Sequence, residues 1–239
     1  MKFGVELLQR LARGLALLLA CLIALALVVQ LWFAGNVLYL KHFNPDSTAF
    51  MRQRLSELRV HNPNASLKYE WVDYEKISAH LKKALVAAED AKFVEHEGFD
   101  WEGIQAAMEK NESKGKPVAG GSTITQQLAK NLFLSPDKTY LRKGQEAVIT
   151  FMLETMLDKE RILELYINVI EWGDGVFGAQ AAAQHYYKVA ASKLNAPQAA
   201  RLAAIVPAPR FYEKNLRSPR LRYKTNIILK RMGSAELPE

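Results

Sequence analysis

One uninterrupted apolar run near the start of the chain limits what it can become. Residues 14–34 read GLALLLACLIALALVVQLWFA, and Gln30 is the only strongly polar side chain among them. A helix of that length rises about 30 Å, the thickness of the bilayer hydrocarbon core. A helix buried in a soluble domain is a poor alternative, because the run is N-terminal and apolar on every side. Lys2, Arg10 and Arg13 precede it, offset slightly by Glu6. Positive charge stays inside, so the expected order is a cytoplasmic N-terminus over 1–13, a single transmembrane span over 14–34, and the rest outside. Trp32 and Tyr39 suit the outer interface. The rival is a cleaved signal peptide, whose apolar core is about 7–15 residues. This run is longer, and its Ala24-Leu25-Ala26 triplet lies within it rather than after it.

The 239 residues suit one compact domain beyond the anchor, and 49% of them are hydrophobic, enough to fill a core. A net charge of +7 favours phosphorylated substrates, anionic head groups or nucleic acid. An outward-facing domain makes nucleic acid the poorest of these. The single cysteine, Cys21, excludes an intrachain disulfide, and the five histidines show no pair at zinc-ligand spacing. Residues 35–70 contain Asn44-Pro45 and Asn62-Pro63-Asn64 and are expected to connect anchor and domain. Residues 71–232 carry mainly helical patterns, and 233–239 form a tail. Ser78 is a candidate cap for a helix with Leu81, Ala84, Leu85 and Ala88 on one face. Thr123 with Gln126 matches a capping box. Tyr140–Leu157 is a long amphipathic candidate. Asp158, Asn195 with Pro197, and Ser218 with Pro219 open further helices, and Pro207 stops one.

Five clusters could carry chemistry. In AAEDAKFVEHEG (87–98), Glu89 lies four residues after Leu85 and shares its helix face. Burial raises a carboxyl's pKa, which suits a general acid or base near neutral pH; the alternative is a solvent-facing Glu-Asp pair at a helix end. In GGSTITQQLAKN (120–131), a Gly-Gly turn precedes a helix N-terminus able to receive an anion, followed by Gln126, Gln127 and Lys130; an ordinary capped helix reads equally well. In RKGQE (142–146), Arg142 and Lys143 lie four and three residues before Glu146. That spacing gives a surface ion pair or a cationic cluster for phosphate. KERILELYIN (159–168) has the periodicity of a packed helix. WGDGVFGAQAAAQHYY (172–187) contains a GxGxxG match, but no strand-rich βαβ unit surrounds it, so nucleotide binding is a poor reading.

Together and in this order, the clusters resemble the five motifs of the family 51 glycosyltransferases, the peptidoglycan glycosyltransferases. The matching residues are Glu89-Asp90, Phe93, His96 and Gly98; Gly120 to Gln127 with Lys130-Asn131; Arg142-Lys143 and Glu146; Lys159, Ile162-Leu163-Glu164, Tyr166 and Asn168; then the glycine loop with Ala182-Ala183 and Tyr186. The second motif is the most specific, and the resemblance covers about residues 70–210. With one anchor and no room for a penicillin-binding domain, the chain resembles the monofunctional members. Tyr187 stands where the family often has Phe, and Ile167 where it often has Leu.

The resemblance implies a mainly α, lysozyme-like domain with a small membrane-associated jaw. Leu132-Phe133-Leu134 and Tyr140 would either dip into the outer leaflet or be buried. It implies lipid II as acceptor and a growing lipid-linked glycan as donor, with phosphoglycolipids of the moenomycin type as inhibitors. Glu89 would be the base and Glu146 the second catalytic carboxylate. Asp90, Phe93, His96, Ser122, Thr123, Gln126, Gln127, Lys130, Asn131, Arg142 and Lys143 would bind substrate. Lys130, Arg142 and Lys143 would face the donor diphosphate. Glu146 would position them or help hold a divalent cation, magnesium or manganese; no organic cofactor is implied. Cell-division or elongation proteins are possible partners. A lytic enzyme on a lysozyme-like fold is the main rival, since it also needs a raised carboxylic acid, but it has no use for the cations. A non-catalytic scaffold is the second rival, and gives no reason for five motifs together.

Overall fold

The computed structural model describes residues 2–116, 120–135, 137 and 139–238, and for residues 2–8 the backbone alone. The side-chain charges of Lys2 and Glu6 lie outside the described residues.

The chain is mainly helical. The anchor α1 (Lys2–Leu40) leads to α2 (Ala49–His61), whose N-cap Thr48 accepts from the Met51 N–H. A two-residue strand β1 (Lys68–Tyr69) precedes α3 (Ala79–Glu89) and α4 (Trp101–Ser113). Then come α5 (Ile124–Phe133), α6 (Tyr140–Met156) and α7 (Lys159–Val169). Strands β2 (Glu171–Gly173) and β3 (Val176–Phe177) join β1 in a small sheet of order β1-β3-β2, parallel between β1 and β3 and antiparallel between β3 and β2. The chain ends with α8 (Ala179–Tyr187), α9 (Ala196–Ile205), α10 (Pro209–Lys214) and α11 (Pro219–Arg231).

Three caps read from sequence stand in place. Thr123 and Gln126 form the capping box of α5, Asp158 accepts from the Arg161 N–H at α7, and Asn195 with Gln198 boxes α9. Ser78 occupies the N-cap position of α3, but its hydroxyl donates to the Leu194 carbonyl (2.7 Å) and does not cap. The bond ties α3 to the segment leading into α9, against which it packs.

The anchor differs from the expected 14–34. α1 is one unbroken helix of 39 residues, about 58 Å long, and Gln9–Leu40 is long and apolar enough to cross a membrane. Residues 9–29 are exposed on every side, as a span in lipid is. From Gln30 onward the helix acquires an inner face: Gln30 is half-buried, and Phe33, Val37 and Leu40 are buried. That spacing lays one stripe of the helix against the domain, chiefly α6. Nor is 35–70 a loose connection. It includes the end of α1, all of α2 and β1. Met51 is buried in the core, and Arg54 is buried in an ion pair with Glu171 of β2 (2.8 Å).

The core lies around α5 and α7, with α3, α9 and α11 packed as a second group. Ile124, Leu128, Ile162, Leu163 and Tyr166 are fully buried. Asn168, also fully buried near the end of α7, accepts from the Val72 N–H (3.0 Å) and donates to the carbonyls of Val72 and Glu164 (both 2.9 Å). Gly178 packs beside it at φ +80°, where a Cβ would meet the Asn168 carbonyl oxygen at 2.8 Å, so only glycine fits. Asn168→Ala leaves the half-buried Val72 N–H and carbonyl without their partner at the edge of the core, at a cost of about 3 kcal/mol. The thermal midpoint is expected to fall by roughly 6–12 °C for a domain of this size; an unchanged midpoint in a melting scan would contradict this.

Candidate active site

Two helix ends meet to make the site. Glu89 is the last residue of α3, and Asp90 follows as its C-cap. The Asp90 carboxylate accepts from the Ile124 N–H at the start of α5 (3.0 Å) with one oxygen and bonds His96 Nε2 (2.9 Å) with the other. The Gly98 N–H donates to His96 Nδ1 (3.1 Å). A backbone N–H can only donate, so Nδ1 accepts and the ring proton facing Asp90 sits on Nε2. The Thr123 hydroxyl donates to the Gly98 carbonyl (2.7 Å), returning the circuit to α5. Gly98 has φ +86°, and a Cβ there would meet the Thr150 methyl of α6 at 2.8 Å.

α5 is buried on most of its surface. Gln127, Lys130 and Phe133 are the half-buried positions, three apart along one stripe. Gln127 donates to the Glu89 carboxylate (2.9 Å), and the Tyr166 hydroxyl donates to the Gln127 carbonyl oxygen (3.0 Å). Glu89 is therefore oriented by an amide that is itself held from behind. Its carboxylate is half-buried at the junction of two cavities of about 150 and 250 Å³. The first is walled by Ala203, Ile227 and Lys224, the second by Asp100, Gly121 and Ser122, and Arg231 borders both. A larger cavity of about 870 Å³ opens on the far side of Gln127, past Lys130 and Asn131 to Arg210 and Lys214.

Charge in this cleft is poorly solvated. Burial pushes the Glu89 carboxyl above the usual range, against the Gln127 hydrogen bond and the positive charges of Lys224 and Lys130. Burial likewise pushes the Lys130 ammonium down, with Glu146 holding it up and Arg142 and Lys143 pressing it lower. Lys224 is lowered by burial and by Arg220, and raised by Glu89. Glu146 is 3% exposed and bonds both Arg142 and Lys143. With Lys130 these make a cationic group around one buried carboxylate. Both Glu146 oxygens are engaged by cations, so the donor set does not fit a protein-held divalent metal. Among the described residues, no group of three or more His, Cys, Asp or Glu side chains could hold one.

Several residues expected to bind substrate also hold the frame together. Phe93 is 0% exposed, with the Lys159 ammonium over its ring at 4.7 Å. Asp90, His96, Thr123 and Gln126 spend their polar atoms on the circuit and on the capping box. Glu89, Asp90, Ser122, Thr123, Gln127, Lys130 and Asn131 line cavities. Arg142 and Lys143 stand behind Lys130, paired with Glu146. Of the expected membrane-dipping residues, Leu132 is buried, and Phe133 packs edge-on against Trp32 and Phe33 of the anchor. Tyr140, at 98%, is fully exposed, and Leu141, Phe151 and Trp101 join it as exposed apolar side chains. Sequence reading missed Lys224 and Arg231, which sit on a helix so basic that it reads as a solvated face. It quoted Tyr166 in a motif but took it for core.

A cleft in which one raised carboxylate lies within the field of Lys130 and Lys224, on a mainly α fold, fits a glycosyl-transfer class of site. Residues 55–233 match the family described as Transglycosylase, and the chain belongs to that family. Its relatives carry a more particular name. A biosynthetic peptidoglycan transglycosylase of Dechloromonas aromatica is 61% identical over 228 residues, 95% of this chain and 99% of that protein. Proteins of the same name from Herminiimonas arsenicoxydans and Laribacter hongkongensis are 60% and 59% identical, over 90% and 92% of this chain and 94% and 96% of their own length.

Glu89 should also mark stability against pH. Below the ordinary glutamate range the carboxyl is neutral in both folded and unfolded chains. Its folded pKa is raised, so as pH climbs the unfolded chain ionises first and folding weakens until the folded value is passed. Glu89→Gln removes that loss. The variant's melting temperature should match the wild type near about pH 4 and exceed it near about pH 8; a difference that does not change with pH would contradict the buried environment of Glu89.

Proposed function

We propose that this chain polymerises lipid II into the glycan strands of peptidoglycan at the outer face of the cytoplasmic membrane, with Glu89 as the general base. α1 is the single-pass anchor, with Arg10 and Arg13 inside, and the catalytic domain is periplasmic. Glu89 takes the proton of the acceptor 4-hydroxyl, and that oxygen attacks the anomeric carbon of the donor sugar. The bond from that carbon to the lipid diphosphate breaks, and the α-linked donor becomes a β-1,4 link by inversion. A sugar hydroxyl is a weak nucleophile and needs a base whose pKa is lifted toward the working pH. The leaving diphosphate gathers negative charge, which fixed cations in a poorly solvated site stabilise. Lys130 does this directly, and Arg142 and Lys143, held by Glu146, support it. Ser122, Gln127 and Asn131 meet sugar or phosphate oxygens.

The observation that carries this reading is the Glu89 carboxylate, hydrogen-bonded by Gln127 and within the field of Lys130 one turn further along α5. A lytic enzyme would need the carboxyl but not the cations.

Glu89→Gln should fold and lower kcat for polymer formation from lipid II by about 10²–10⁴; normal polymerisation on a product gel would reject Glu89 as the base. Lys224→Met should move the acidic limb of the kcat/KM–pH profile to higher pH, because a positive neighbour favouring the ionised carboxyl is gone. An unmoved limb would separate Lys224 from the base.

A further inference from the structure

Gln30 is the one strongly polar side chain of the apolar run, and its amide both donates and accepts across to the domain. It donates to Gln145 Oε1 (2.9 Å) and accepts from Gln145 Nε2 (3.0 Å). An amide in an apolar segment lowers the tendency to insert and is costly if unpaired, so a leucine would serve a plain tether better. The reciprocal pair satisfies both amides and admits one partner in one rotational setting, as a lone buried asparagine fixes register in a coiled coil.

The position of the partner gives the pair its meaning. Gln145 lies on α6 between Lys143 and Glu146, one turn from Arg142. The same face of the anchor meets the end of α5, where Phe133 packs against Phe33 with ring centroids 5.7 Å apart. Both cation-bearing helices therefore touch α1. Gln30 is the first residue of α1 with an inner face, directly after the stretch 9–29 that is exposed on every side. The start of α6 is thereby placed near the outer boundary of the bilayer, in keeping with Tyr140 and Leu141, which are 98% and 88% exposed.

We infer that Gln30 is a positioning residue for the reaction: its amide clasp with Gln145 holds α6, and with it Arg142 and Lys143, at the depth where a membrane-held lipid diphosphate presents its charge. This rests on the lipid diphosphate reading above.

The test uses the full chain in phospholipid vesicles, with lipid II as substrate. Gln30→Leu and Gln145→Leu should each raise KM about three- to tenfold, in line with side-chain hydrogen bonds between membrane helices, with kcat changed less than about twofold. Gln30→Leu/Gln145→Leu together should be no worse than either alone, since the second loss finds nothing left to break. Amide hydrogen exchange over 140–146 should quicken in all three, which reads the clasp without turnover. A purely structural role would lower the yield of folded protein and leave the KM of the folded fraction in place. Unchanged KM, or losses that multiply in the double variant, overturns the proposal. If the wild-type chain makes no polymer from lipid II, the functional reading fails instead, and unchanged exchange in the variants then rejects the clasp by itself.

Discussion

The site depends on one buried carboxylate that joins two helix ends. Asp90 receives the first N–H of α5 and the ring of His96, and so fixes the end of α3 against the beginning of α5. Negative charge at a helix N-terminus is favoured by the unpaired N–H groups and the helix dipole. Glu89 ends one of these helices, and Gln127 and Lys130 lie one to two turns into the other. The distance between Glu89 and Lys130 is thus set by a capping interaction and reinforced through Gly98 and Thr123. Lys159 tightens the same region from α7, donating to the His96 carbonyl (2.6 Å) and to Glu154 (2.9 Å).

On that frame the cleft places groups of opposite sign where water is scarce. Burial drives Glu89 up while driving Lys130 and Lys224 down, so each is pressed toward its neutral form. Glu146 counters this on the cationic side, keeping Arg142 and Lys143 in place and supporting the charge of Lys130. The two glutamates therefore do different physical work. One is left poorly compensated so that its proton affinity rises, and the other is surrounded by cations and serves as their counter-ion.

Much of the fold was legible in the sequence because caps are local. Thr123, Asp158 and Asn195 announce α5, α7 and α9 through side-chain bonds to the residue three positions on. Ser78 was misleading because its hydroxyl finds a partner 116 residues away, which no local pattern can report. The end of the anchor at Leu40 was hidden for a related reason: residues 35–40 are held helical by packing against the domain. Within the site, the motifs identified residues that matter but not how. Phe93 and His96 stand in the same short cluster as Glu89, yet they are frame, because a motif marks dependence and not access. Lys224 reaches Glu89 only through the packing of α11 against α3 and α9, and nothing in a run of basic residues singles it out.

The buried stripe Phe33, Val37 and Leu40 makes the anchor part of the domain core. A diagram would draw a border between tail and catalytic body near the membrane surface, but no physical seam exists there. A water-soluble fragment cut at that border would bare an oily flank of α6 and the end of α5, and would invite self-association where the intact chain has its own helix. Preparations meant to keep the native cleft need to retain the last three turns of α1, together with enough detergent or lipid to shield what those turns leave uncovered.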